Sequence, residues 1–187
     1  MPRKKTDPAQ MPLLELATKT APGVPAIRQA VREWVADGYK GATPTSKTLL
    51  NYWFHSDHRA FNGDKFQYHY FQREAVETLI YLYEVAQKRR HRDLIQTYAS
   101  LPEGGQLRLL QYDHFPRYCI KMATGSGKTK VIALAIAWQY FNAVLEDASS
   151  YAKTSLLIAP NIIVFERLKS DFGGGRVFRT DPIIPKE

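Results

Sequence analysis

Cysteine is almost missing from this sequence: Cys119 stands alone, so no disulfide can form within the chain. A fold without staples must be held by its core, and a reducing, cytoplasmic setting is expected. Long apolar runs are missing too. The longest, residues 131–138, falls far short of the roughly 20 apolar residues that span a bilayer, and no apolar stretch follows the first basic residues. Neither a membrane span nor a secretory leader is therefore expected. Without cysteine pairs, the ligand chemistry of His55, Asp57 and His58 has too few companions for a structural zinc. No serine sits in a nucleophile-elbow context, which removes the Ser–His–acid hydrolases. Acidic side chains are also in short supply, 18 against 26 lysines and arginines, giving a formal charge of +8.

What is present is enough for a folded domain. Hydrophobic residues make up 44% and charged residues 24% of 187 positions, the composition of a globular chain with a core. Cys119 lies in an apolar run and is expected to be buried as a small hydrophobe. The basic excess gathers in Arg3, Lys4 and Lys5 and again in Lys88, Arg89, Arg90 and Arg92. Such a cluster suits a polyanionic partner such as nucleic acid, or equally a solvated helix end.

Residues 1–24, with Pro2, Pro8, Pro12, Pro22 and Gly23, resist regular structure and read as a flexible lead-in. From Pro25, Ile27, Val31, Trp34 and Val35 recur at helical spacing, with Gly38 as a stop. Thr45 and Ser46, after Pro44, are capping candidates for a second helix carrying Leu49, Leu50, Trp53 and Phe54. Residues 25–65 are thus expected to form a small helical accessory region. Phe66, Tyr68 and Tyr70 alternate as an extended segment does, and Val76, Leu79, Tyr83 and Ala86 mark a long helix running into the basic cluster. The proline- and glycine-bearing stretch 100–116 reads as an insertion. Then come a β-capable run at 118–122, a glycine-rich turn, a helix over 128–145 apolar on nearly every side, a second apolar run at 156–159 and a helix over 162–168. That order predicts a right-handed βαβ unit with parallel strands, the helix buried against the sheet.

The turn carries the chemistry. Met-Ala-Thr-Gly-Ser-Gly-Lys-Thr at 122–129, between an expected strand and an expected helix, is a phosphate loop. Ala123, Thr124, Gly125, Ser126 and Gly127 would bring backbone N–H groups to phosphate oxygens, the glycines leaving no Cβ in the way. Lys128 would set its ammonium beside the β- and γ-phosphates of ATP as the catalytic cation, and the Thr129 hydroxyl would take one position on Mg2+. The strict pattern has glycine where Met122 stands, so the loop is a looser variant. Gly173, Gly174 and Gly175 lack a following lysine and read as a flexible turn.

Read with its surroundings, the loop resembles the superfamily 2 helicases and translocases, in particular the helicase subunit of type III restriction enzymes. Three blocks carry the resemblance: Phe71-Gln72-Arg73-Glu74-Ala75-Val76, similar to the family's Q motif; the phosphate loop; and residues 158–168 from Ile158 to Leu168, similar to motif Ia. It covers roughly residues 66–182 and implies an α/β fold, the first part of a RecA-like P-loop domain with a partial parallel sheet and flanking helices, over 66–187. It further implies that Gln72 reads the adenine edge, that Pro160, Asn161 and Arg167 meet the nucleic-acid backbone, and that the partners are nucleic acid, DNA rather than RNA, with methyltransferase or other restriction-system subunits. One of Phe66, Tyr68, Tyr70 and Phe71 could stack on adenine, though their alternation is also that of a half-buried strand.

The family's acidic pair for Mg2+ has no counterpart after the loop; Glu146-Asp147 sits at a helix end and reads as solvated. The second RecA-like lobe and its arginine finger have none either. The chain is therefore expected to be a fragment of a longer protein that binds ATP but hydrolyses it slowly or not at all. The alternative is a non-catalytic basic nucleic-acid-binding module with a vestigial or regulatory phosphate loop. A small P-loop kinase would need an acceptor pocket that cannot be located.

Overall fold

The computed structural model describes residues 23–60, 63–99, 114–146 and 150–185. Most of the expected lead-in, most of the stretch 100–116, Asp147 and the last two residues lie outside them.

Helix α1 (Val24–Ala36) starts with a proline in its first turn and buries Val31 and Trp34. Gly38 ends it in the left-handed region at φ +66°, where a Cβ would be strained. Helix α2 (Pro44–His55) is capped by Thr43, whose side chain accepts from the Ser46 amide. The cap is thus one position before Pro44 and not at Thr45 or Ser46, because proline is best placed just inside a helix start, where its missing N–H is no loss. Leu49, Leu50 and Trp53 are buried as the spacing predicts.

Strands β1 (His58–Arg59) and β2 (Lys65–Phe66) pair antiparallel, His58 opposite Phe66. After them comes α3 (Tyr70–Ile80), continued by a π-helical turn (Tyr81–Val85) that buries Leu82 and Glu84. A wider turn of this kind rotates the residues after it relative to an α-helix. The basic cluster leads into α4 (His91–Tyr98). Part of its charge is used internally, since Arg89 stacks over the Tyr83 ring and donates to the Tyr83 carbonyl.

Helix α5 (Lys128–Leu145) matches the sequence expectation in its bounds but not in its neighbours. Val131, Ala133, Leu134, Ala137, Trp138 and Asn142 are buried against α2 and α3, so the apolar helix is covered by helices and not by a sheet. Helix α6 (Ile162–Phe172), a 3-10 turn (Gly173–Gly175) and α7 (Arg176–Thr180) complete the order.

No parallel strands are seen among the described residues. Residues 118–122 and 156–159 have no regular secondary structure, and β1–β2 is the only sheet among the described residues. A parallel sheet is stable when its strands have hydrogen-bonded neighbours and both faces are covered; here Leu156 and Ile158 are at least 80% exposed, and Cys119, expected to be buried, is exposed.

One apolar cluster joins the two halves of the chain: Trp34, Leu50 and Trp53 share it with Val76, Leu134, Trp138, Val177 and Ile183. A buried polar knot ties the same helices together. The Glu84 carboxylate accepts from the Thr43 amide, the Ser46 hydroxyl and the Trp138 indole N–H, while Asn142 Nδ2 donates to Ser46 Oγ. Every polar group in the knot is thus satisfied within the core.

Candidate functional site

The phosphate loop follows Met122 and turns at Gly125 (φ +79°) and Gly127 (φ +77°), both left-handed. Gly127 is the N-cap of α5. A Cβ on Gly125 would meet nothing within 4 Å, so that glycine is required by backbone conformation and not by crowding. Among the described residues, the amides of Gly125, Gly127, Lys128 and Thr129 make no hydrogen bond, and Ser126 N–H reaches the Ala123 carbonyl only at 3.4 Å. These are the free donors that an anion at a helix start requires. Lys128 Nζ, exposed, folds back to donate to the Ala123 carbonyl at 2.6 Å, as does Ser126 Oγ at 2.7 Å.

Beside the loop lies an open cleft of about 690 Å3. Thr124, Gly125, Lys128 and Thr129 line it, as do Arg167 from α6 and Arg176 from α7. The volume and the donor set suit a polyphosphate: free amides, an ammonium, and the Thr129 hydroxyl as one oxygen ligand for magnesium. Among the described residues no group of three or more histidine, cysteine or carboxylate side chains is placed to hold a metal by itself. Magnesium here would rest on Thr129, phosphate oxygens and water.

Gln72 is brought to the loop from the first turn of α3, and it is buried. Its Nε2 donates to the Ser126 carbonyl at 2.9 Å and its Oε1 accepts from the His69 amide at 3.0 Å. The amide expected to read adenine thus also props the phosphate loop, with one N–H and one lone pair left over. A Cβ on Gly127 would lie 2.3 Å from that Nε2, so Gly127 is required by crowding as well as by φ. Of the aromatics, Tyr68 is buried and donates to the Pro182 carbonyl, and Phe66 lies beneath the Lys130 ammonium. Tyr70 is 80% exposed, and Phe71 stacks on His69. Of the four, Tyr70 keeps the most exposed ring.

The third block also reaches the cleft. Asn161 caps α6, its side chain accepting from the Val164 amide, and Pro160 is exposed beside it. Arg167, five residues into the helix after its cap, lines the phosphate-loop cleft. His55 and His58 are occupied elsewhere: His55 Nε2 lies 3.1 Å from the Tyr39 hydroxyl, and His58 Nε2 donates to the Tyr52 carbonyl.

A sequence model of the family described as "type III restriction enzyme, res subunit" matches residues 65–181. The chain belongs to that family. The match spans most of the chain and contains Gln72, the phosphate loop and α6, the three blocks from which the resemblance was read. No curated protein and no solved structure matches the chain. Membership of the res-subunit family carries a helicase-like, P-loop ATPase lineage. Among the described residues no helix is long and apolar enough to cross a membrane.

Sequence reasoning missed Arg176. The glycine run before it was read as a flexible turn, whereas Gly174 (φ +58°) and Gly175 (φ +73°) make a defined reversal that starts α7 and carries Arg176 to the cleft. Lys130 was missed too: it pairs with Asp181, fixing α7 to the first turn of α5.

Proposed function

We propose that this chain is the magnesium–ATP-binding lobe of a nucleic-acid-dependent ATPase, a DNA translocase or helicase of the restriction-enzyme kind. The observation that carries the reading is the loop itself, with its left-handed glycines, unbonded amides and lysine at the mouth of a cleft. Ala123, Thr124, Gly125, Ser126 and Gly127 supply backbone to the phosphates, Lys128 the ammonium, and Thr129 a ligand for magnesium. Magnesium, when bound, neutralises and orients the phosphate oxygens. Gln72 reads the adenine with its remaining N–H while its other one keeps hold of Ser126.

The nucleic-acid partner, DNA in preference to RNA, and methyltransferase or other restriction-system subunits follow from the family; Pro160 and Asn161, exposed at the start of α6, are the proposed backbone contacts. The apolar runs at 118–122 and 156–159 are proposed strands of the parallel sheet of a RecA-like lobe, with residues 25–65 as its accessory helices and a cytoplasmic location. The exposed Leu156 and Ile158 support that view, since strand neighbours would cover them.

Binding of magnesium–ATP measured by calorimetry tests the proposal. The chain is expected to bind, and Lys128→Ala to weaken binding by about tenfold or more, the worth of one charge-assisted contact. Equal affinity in the two proteins would remove the basis of the reading.

A further inference from the structure

Three cations face the cleft without an ion-pair partner among the described residues: Lys128, Arg167 and Arg176. Two carboxylates share it. Asp181 is engaged by Lys130, which leaves only Asp171 to offset the three. A concave site with surplus positive charge and low-dielectric walls attracts a polyanion. Magnesium–ATP keeps a net negative charge that one lysine does not match.

The backbone that carries Arg176 is anchored. The next residue, Val177, is buried in the core, and Asp181 is tied to Lys130 at the end of the same short helix. Beyond it, the Pro182 carbonyl accepts from Tyr68 and the Ile183 carbonyl from the Trp53 indole at 2.8 Å. The left-handed Gly174 and Gly175 set the direction in which α7 starts. The guanidinium is therefore presented from a backbone fixed on both sides, while the side chain itself stays exposed. A guanidinium also offers a planar fork of donors that matches phosphate oxygens.

We propose that Arg176, supported by Arg167, is a nucleotide-binding residue that adds a second source of positive charge to the cleft lined by the phosphate loop and takes the phosphates beyond the first. The inference rests on the ATP-binding reading above. It assigns Arg167 to the nucleotide and not to the nucleic-acid backbone, although both ligands offer the same phosphate chemistry.

Affinities for magnesium–ATP, magnesium–ADP, AMP and a short DNA duplex, measured for the unaltered chain and for Arg176→Ala, Arg176→Lys and Lys128→Ala, decide it. Arg176→Ala is expected to lose about tenfold in ATP affinity, less for ADP and nothing for AMP, with lysine restoring part of the loss and the denaturation midpoint unchanged. If Lys128→Ala weakens ATP binding and Arg176→Ala does not, the role of Arg176 is refuted and the ATP reading stands. A loss confined to the duplex would give the arginine to nucleic acid and overturn the proposal. No ATP binding by the unaltered chain would overturn both readings.

Discussion

Gly127 concentrates two constraints at one atom. Its φ of +77° is costly for any residue with a Cβ, and the Cβ would sit 2.3 Å from an amide nitrogen that is itself hydrogen-bonded to Ser126. Gln72 cannot swing aside without losing that bond, and it is buried with its other end held by His69. Gly127→Ala is therefore expected to destabilise the chain by roughly 2–3 kcal/mol, the left-handed penalty plus one hydrogen bond. Denaturant unfolding measures it, and pairing the change with Gln72→Ala should recover part of the loss because the two sites touch. An unchanged midpoint for Gly127→Ala would show that the loop accommodates a side chain. Much of this was legible beforehand: the glycines, lysine and threonine of the loop announce themselves by spacing. The Gln72–Ser126 bond was not, because it joins residues 54 apart and nothing local encodes it.

At the scale of elements, the π-helical turn is where the accessory helices grip the phosphate-loop helix. Glu84, turned inward there, accepts hydrogen bonds from α2, its cap and α5 at once. Glu84→Ala would leave the Thr43 backbone amide without its acceptor and take from the Ser46 hydroxyl its shorter one, at a cost on the order of 3 kcal/mol. Glu84→Gln, which keeps an acceptor oxygen, should cost less. Exposed Glu166→Ala serves as the reference; a similar midpoint shift in all three proteins would mean that the knot contributes nothing. The helix bounds were readable because a 3.6-residue apolar period is a local signal, as α1 shows with Val31 and Trp34 buried. Strand identity was not, because the apolar runs at 118–122 and 156–159 become strands only if a neighbour pairs with them, and pairing is decided elsewhere in the chain. The same limit hid Arg176, whose role depends on where two left-handed glycines send the backbone.

Across the whole molecule, tyrosine hydroxyls are held protonated by burial. Tyr118 is pushed up to about 12, mainly by desolvation, and Tyr39, Tyr52, Tyr68, Tyr98 and Tyr151 are raised as well. Below pH 10 these groups are protonated whether the chain is folded or not, so their burial costs nothing extra. As pH rises above 10 the unfolded chain releases protons that the folded chain retains, and stability must fall until the folded hydroxyls ionise too. The denaturant midpoint is thus expected to drop steadily from pH 10 to about 12, and Tyr118→Phe should make the drop shallower. A midpoint flat across that window would contradict the burial of these hydroxyls.

The shared apolar cluster also decides how this protein can be handled. The stretch recognised by its family begins at residue 65, but Leu50 and Trp53 on one side of that point rest on Trp138 and Ile183 on the other. Trimming a gene to the recognised stretch would strip the covering from the helix that carries the lysine, leaving bare indole and aliphatic surface where the first two helices had been. A useful minimal version must therefore keep residues that no family boundary marks.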